Sequence, residues 1–98
     1  MELVSSRCKG LFETGRLLIT PGALEATKKA GQGLEPLIDR HKSGDWGDMC
    51  EADVESNNAA IDGGTRIMSS YEMSTGRVVW LVTESDRSAT TILMPDEY

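Results

Sequence analysis

The sequence predicts an α+β domain in the order β-α-α-α-β-β-β, with an antiparallel C-terminal meander and the helices packed on one face of the sheet. Two observations carry this. The first half of the chain holds helical apolar spacing bounded by clear start and stop signals. The second half holds three short apolar runs rich in Val, Ile and Thr, separated by turn residues. At 98 residues the chain is one domain by length, and a domain of this size buries roughly 60–65% of the surface its unfolded form exposes.

Residues 1–11 have mixed polarity and read as a loose lead-in, leaving 12–98 as the folded domain. Arg16–Thr20 reads as a short strand, mostly apolar and therefore expected to be covered on both faces. Thr20-Pro21 opens the first helix: threonine caps free N–H groups, and proline at the first helical position loses no bond it would have made. The helix is expected to end near Ala30, with Gly31 in the left-handed position and Ala23, Ala26, Thr27 and Ala30 forming a small-residue face. Leu34, Leu37, Ile38 and His41 then fall on one helical stripe, with Pro36 tolerated in the first turn and Gly44 as the stop. Asp48-Met49-Cys50-Glu51 offers an Asp-x-x-Glu variant of the capping box, which predicts a third helix to about Asp62. Cys50, Val54, Asn57 and Ile61 share its face, and Gly63-Gly64 ends it.

The meander follows. Arg66–Met73 is a strand, Ser74-Thr75-Gly76 a hairpin turn, and Arg77–Glu84 its partner. Val78 to Val82 is apolar without alternation, the pattern of a central strand covered on both sides. Ser85–Ser88 is a loop, and Ala89–Met94 is a last strand before Pro95. A thin domain with such a central strand needs a cover for its second face. A homodimer or a partner protein would supply one.

Charge and cysteine content narrow the function classes. Ten basic and sixteen acidic residues give a net charge of −6, which argues against binding nucleic acid through its phosphates. Cys8 and Cys50 form no metal or redox pattern and read as reduced thiols of a cytoplasmic protein. No signal-like run and no apolar stretch of ~18 residues is present, so no membrane span is expected.

Chemistry concentrates in two places. His41-Lys42-Ser43-Gly44-Asp45-Trp46-Gly47-Asp48 holds the single histidine and one of the two tryptophans. His41 is a candidate base or ligand, or a structural residue closing its helix by hydrogen-bonding free carbonyls. With Asp45 and Asp48 it makes a poor metal trio, lacking a second histidine and a thiolate, so no metal is expected, and no cofactor fingerprint is present. Asp45 and Trp46 are candidate ligand-binding residues; alternatively Trp46 pins two helices to the core while Asp48 caps the third. Asn57 interrupts an apolar face and needs hydrogen-bond partners. The second place is Thr83–Thr91. Asp86 and Arg87 are candidate ligand-binding residues, and Arg87 with Ser88 and Thr90 is suited to a phosphate or carboxylate. Adding Arg66 and His41 would complete an acid–base site for RNA cleavage. The competing reading is an ordinary turn, with Asp86 bonding its own backbone and Arg87 paired to Glu84 or Asp86. A joint site requires the Asp45-Trp46 and Asp86–Ser88 loops to lie side by side.

Three segments carry a resemblance: Thr20-Pro21-Gly22-Ala23-Leu24-Glu25-Ala26; His41-x-Ser43-Gly44-Asp45-Trp46-Gly47-Asp48; and Trp80 through Tyr98, with Thr83-Glu84-Ser85-Asp86-Arg87-Ser88-Ala89-Thr90-Thr91-Ile92-Leu93 at its centre. Together they resemble a family of small, uncharacterised bacterial proteins found on plasmids and other mobile elements. The resemblance spans about residues 12–98; Met94 departs from it, standing where similar proteins tend to have leucine. It implies a plasmid or gene-cassette setting and no defined activity. The leading expectation is therefore a non-enzymatic accessory protein of a mobile element, acting on an unknown host or plasmid protein and self-associating. The alternatives are a small ribonuclease-like toxin relative using His41, Arg66, Arg87, Ser88 and Thr90, and a small-ligand binder using Trp46 and the Arg87 loop.

Overall fold

The computed structural model describes residues 11–98, and the expected lead-in, apart from Leu11, lies outside them. Leu11 itself is tied down, its N–H donating to the Lys42 carbonyl at 2.8 Å. The order is β1 (Arg16–Ile19), α1 (Pro21–Ala30), α2 (Glu35–Lys42), α3 (Glu51–Gly63), β2 (Ile67–Glu72), β3 (Val78–Thr83) and β4 (Ala89–Leu93), closed by a 3-10 turn at Pro95–Glu97. Three helices precede the hairpin-linked strands, so the class is α+β. The sheet order is β1-β4-β3-β2, antiparallel through β2, β3 and β4. β1 joins the far side of β4 in parallel, making the sheet mixed where a wholly antiparallel one was expected.

The helix ends follow local chemistry. Thr20 caps α1 by accepting from the Ala23 N–H at 3.2 Å, and Gly31 closes it at φ 67°. Ala23 and Ala26 of α1 and Leu37 of α2 pack with Tyr71, Val79, Leu81 and Ile92 on the inner face of the sheet. A smaller cluster joins Phe12, Trp46, Ala60 and Ile67.

Two expectations are corrected. α3 starts at Glu51 with Cys50 as its N-cap, so Asp48 opens no capping box. Asp48 is used elsewhere: its N–H donates to the Ser70 carbonyl at 2.7 Å, holding residues 46–48 beside β2. The second correction is β1. Expected to be covered on both faces, it is an edge strand with Leu17 51% and Leu18 41% exposed. The second face of central β3 is partly covered by the chain itself, since the Tyr98 ring meets Trp80 at 5.6 Å and its hydroxyl accepts from Arg66 at 2.7 Å.

Candidate functional site

His41 sits in the last turn of α2 with its side chain under the sheet, wholly buried. Its Nδ1 lies 2.6 Å from the Ser69 hydroxyl and its Nε2 lies 2.7 Å from the Thr83 hydroxyl, with no carbonyl partner. Thr83 and Thr90 face each other across β3 and β4, their hydroxyls 2.7 Å apart, and Thr90 donates to the Thr14 carbonyl at 2.9 Å. A carbonyl only accepts, so the direction of the chain can be worked out. Thr90 spends its proton on Thr14, so Thr83 must donate to Thr90. Thr83 then has no proton for the ring, so His41 donates from Nε2 and accepts at Nδ1 from Ser69. Burial drives the imidazole pKa down to about 4, favouring the neutral ring. A neutral histidine with both nitrogens engaged and no exposure is a cross-brace between β2, β3 and β4. No part of its ring is exposed.

Arg87 is equally occupied. It is the one non-glycine residue at positive φ (61°) among the described residues, a conformation that costs about 1 kcal/mol or more. The compensation lies in its guanidinium, which donates to the carbonyls of Ala60 at 2.7 Å, Thr65 at 2.7 Å and Glu84 at 3.1 Å. α3 has no basic residue in its own last turn. Arg87 supplies the missing cation from the β3–β4 loop at the C-terminal end of the helix, where positive charge is favoured and where the Ala60 carbonyl also accepts the capping Gly64 N–H. Asp86 closes the loop by accepting the Ser88 N–H at 3.0 Å, and the Ser88 hydroxyl, helped by that N–H, holds its carboxyl below the usual range.

Around Trp46 the same economy holds. Trp46 is buried, stacked on Phe12 at 6.1 Å, and its indole N–H donates to Asn58 at 3.1 Å. Asp45 is exposed and takes a bidentate contact from Arg40 at 2.7 and 3.3 Å, which holds its carboxyl below the usual range. The Arg40 guanidinium lies 4.5 Å over the Tyr71 ring, and the Tyr71 hydroxyl donates to the Asp45 carbonyl at 2.7 Å. The two candidate loops do approach each other, because Phe12 contacts His41 at 5.2 Å, Trp46 at 6.1 Å and Arg87 at 5.7 Å. A phenyl ring fills the space where a cleft would be needed. Arg66 stands apart, donating to Tyr98 and lying 3.6 Å from Glu84. It lines a cleft of about 190 Å³ with Met49, Asp53, Asn57 and Met68, and a second cleft beside Arg77 and Pro95 holds about 260 Å³. Both fall short of the ~300 Å³ at which ordinary ligand pockets begin.

The sheet edges are the remaining feature, and composition alone did not indicate them. β2 presents Met68 and Ser70 outward. Asn57 of α3 donates to the Met68 carbonyl at 2.7 Å and accepts its N–H at 3.2 Å, so one amide replaces a neighbouring strand. Ser70 donates to the Trp46 carbonyl at 3.0 Å and accepts from Asp48, with Gly47 bridging in parallel. Gly47 has φ 73°, and a Cβ there would run into the Ser70 carbonyl. On the opposite edge, Arg16 donates to Ser88, just before β4, and Thr20 to Ile92 of β4, each at 3.0 Å. By the alternation of a parallel ladder, the main-chain groups of Leu17 and Ile19 point away from the sheet. Among the described residues nothing bonds to them. The signal that could have located this edge is the brevity of a strand separated from the meander by three helices. Compared with family models, curated proteins and solved structures, the chain matches none.

Proposed function

We propose that this is a non-enzymatic accessory protein acting by protein–protein contact, and that the contact is strand addition at the open edge of β1. The observation that supports it is the contrast between spent and unspent groups. His41, Thr90 and Arg87 are used up inside the fold, while Leu17 and Ile19 offer unbonded main chain beside exposed leucine side chains. An extended segment would gain main-chain hydrogen bonds along β1 and apolar contact with Leu17 and Leu18. The mobile-element setting and a cytoplasmic location belong to the same proposal; their support is the likeness of the three sequence segments and the reduced-thiol reading. No helix among the described residues is long and apolar enough to cross a membrane.

The test uses the full chain at high dilution. Peptides selected from a displayed random library are expected to bind and to slow amide exchange at Leu17 and Ile19, while RNA incubated with the protein stays intact. Slow exchange at those two amides in the dilute, unliganded chain would sink strand addition. RNA cleavage abolished by His41→Gln would sink the non-enzymatic reading.

A further inference from the structure

We infer that the strand received at this edge is β1 of a second copy, paired antiparallel about a two-fold axis passing beside Leu18. The inference rests on the strand-addition reading and adds the identity of the partner. Arg16 and Leu18 of β1 and Thr20, which continues it in extended backbone, share one outer face by strand alternation. Thr20 is not alone there, because its hydroxyl donates to Glu97, whose carboxylate also accepts the Met94 N–H at 2.9 Å and is held below its usual pKa range. Along the edge the outer face therefore reads cation, apolar, anion. That order is self-complementary when reversed. Antiparallel pairing centred on Leu18 sets Arg16 of each copy beside the Thr20–Glu97 pair of the other, with leucine against leucine between them. Arg16 has no ion-pair partner among the described residues. In the same register Leu17 lies opposite Ile19, and these residues carry the outward N–H and C=O groups. They exchange both bonds as a hydrogen-bonded antiparallel pair. Parallel pairing would place Arg16 beside Arg16.

The β2 edge supports the choice of a single closed pair. With Met68 and Ser70 already bonded, strands cannot add at both ends of the sheet, so association stops at the isologous dimer and does not run on into a fibre. The open edge is thus paired with a blocked one, as a finite assembly requires.

Light scattering and amide exchange on the full chain, followed together through a dilution series, test this. The expected result is a mass rising from one copy to two, with exchange at Leu17 and Ile19 slowing over the same concentrations. Leu17→Pro removes an outward N–H without touching the β4 ladder, and Leu18→Lys puts like charges at the axis. Each is expected to weaken association by about tenfold or more with unchanged circular dichroism. Arg16→Glu is expected to weaken it as well. A chain monomeric throughout, with both amides exchanging fast, overturns the second copy and leaves strand addition to a foreign segment. A monomer with both amides protected overturns strand addition too, and assigns the edge to the chain's own first ten residues. A dimer indifferent to all three substitutions overturns the β1 interface.

Discussion

Along β2 the outward groups of Met68 and Ser70 are met by Asn57 and by the Trp46–Asp48 segment, whereas along β1 those of Leu17 and Ile19 meet nothing among the described residues. The difference teaches that closing an edge requires no strand. One carboxamide provides a donor and an acceptor at nearly the spacing a strand would, and a short bridge around Gly47 does the rest. An apolar edge left bare beside such careful closure is a liability for a monomer and an asset for a binding protein.

The broadest test of the contrast is acid, because the chain of hydroxyls through His41 runs from Ser69 in β2 to Thr14 just before β1 and braces both sides. The folded pKa of about 4 lies below the ordinary 6.5, so the unfolded chain binds the proton first. The stabilisation is full above pH 6.5 and is lost as pH falls toward 4, by on the order of 3 kcal/mol. Urea melts across that window should show the loss, and His41→Gln should flatten its slope. The depressed carboxylates Asp45, Asp86 and Glu97 give way only at lower pH. Next in size, Asn57→Ala breaks the contrast itself by opening the second edge. It should cost about 2 kcal/mol and make the protein aggregate on concentration, which turbidity would report. Arg87→Met loosens the C-terminal end of the helix that carries Asn57 and should cost about 1.5 kcal/mol in the same melts, without altering any RNA assay. Leu17→Pro sharpens the contrast from the other side. It should leave stability within about 0.5 kcal/mol, since the lost N–H makes no ladder bond.

Where local chemistry decides structure, the sequence was easily read. Thr20-Pro21 and Gly31 bound α1 where capping rules put them, Asn57 is partnered as a buried amide must be, and Asp86 makes the turn its side chain favours. Asp48 was misread because its side chain suggested a cap while its backbone is committed to a strand far along the chain. β1 was misread for a related reason. An apolar run cannot distinguish a strand buried between neighbours from one awaiting a neighbour, and the distinction arises only from sheet order. The candidate site was legible as a neighbourhood, since His41, Trp46 and Arg87 do gather. What could not be read was Phe12 standing between them.

The one-way hydrogen-bond chain also has a spectroscopic reading. A histidine in solution averages its two neutral tautomers, but here a backbone carbonyl several bonds away selects one. The imidazole nitrogens of His41 should therefore resonate as one pyrrole-like and one pyridine-like site, with the proton fixed on Nε2. The Thr83 and Thr90 hydroxyl protons, sealed from solvent, should persist as discrete signals. Thr83→Val would remove the hydroxyl that takes the Nε2 proton and free the ring to move it to Nδ1, so a single substitution would exchange the identities of the two nitrogen lines.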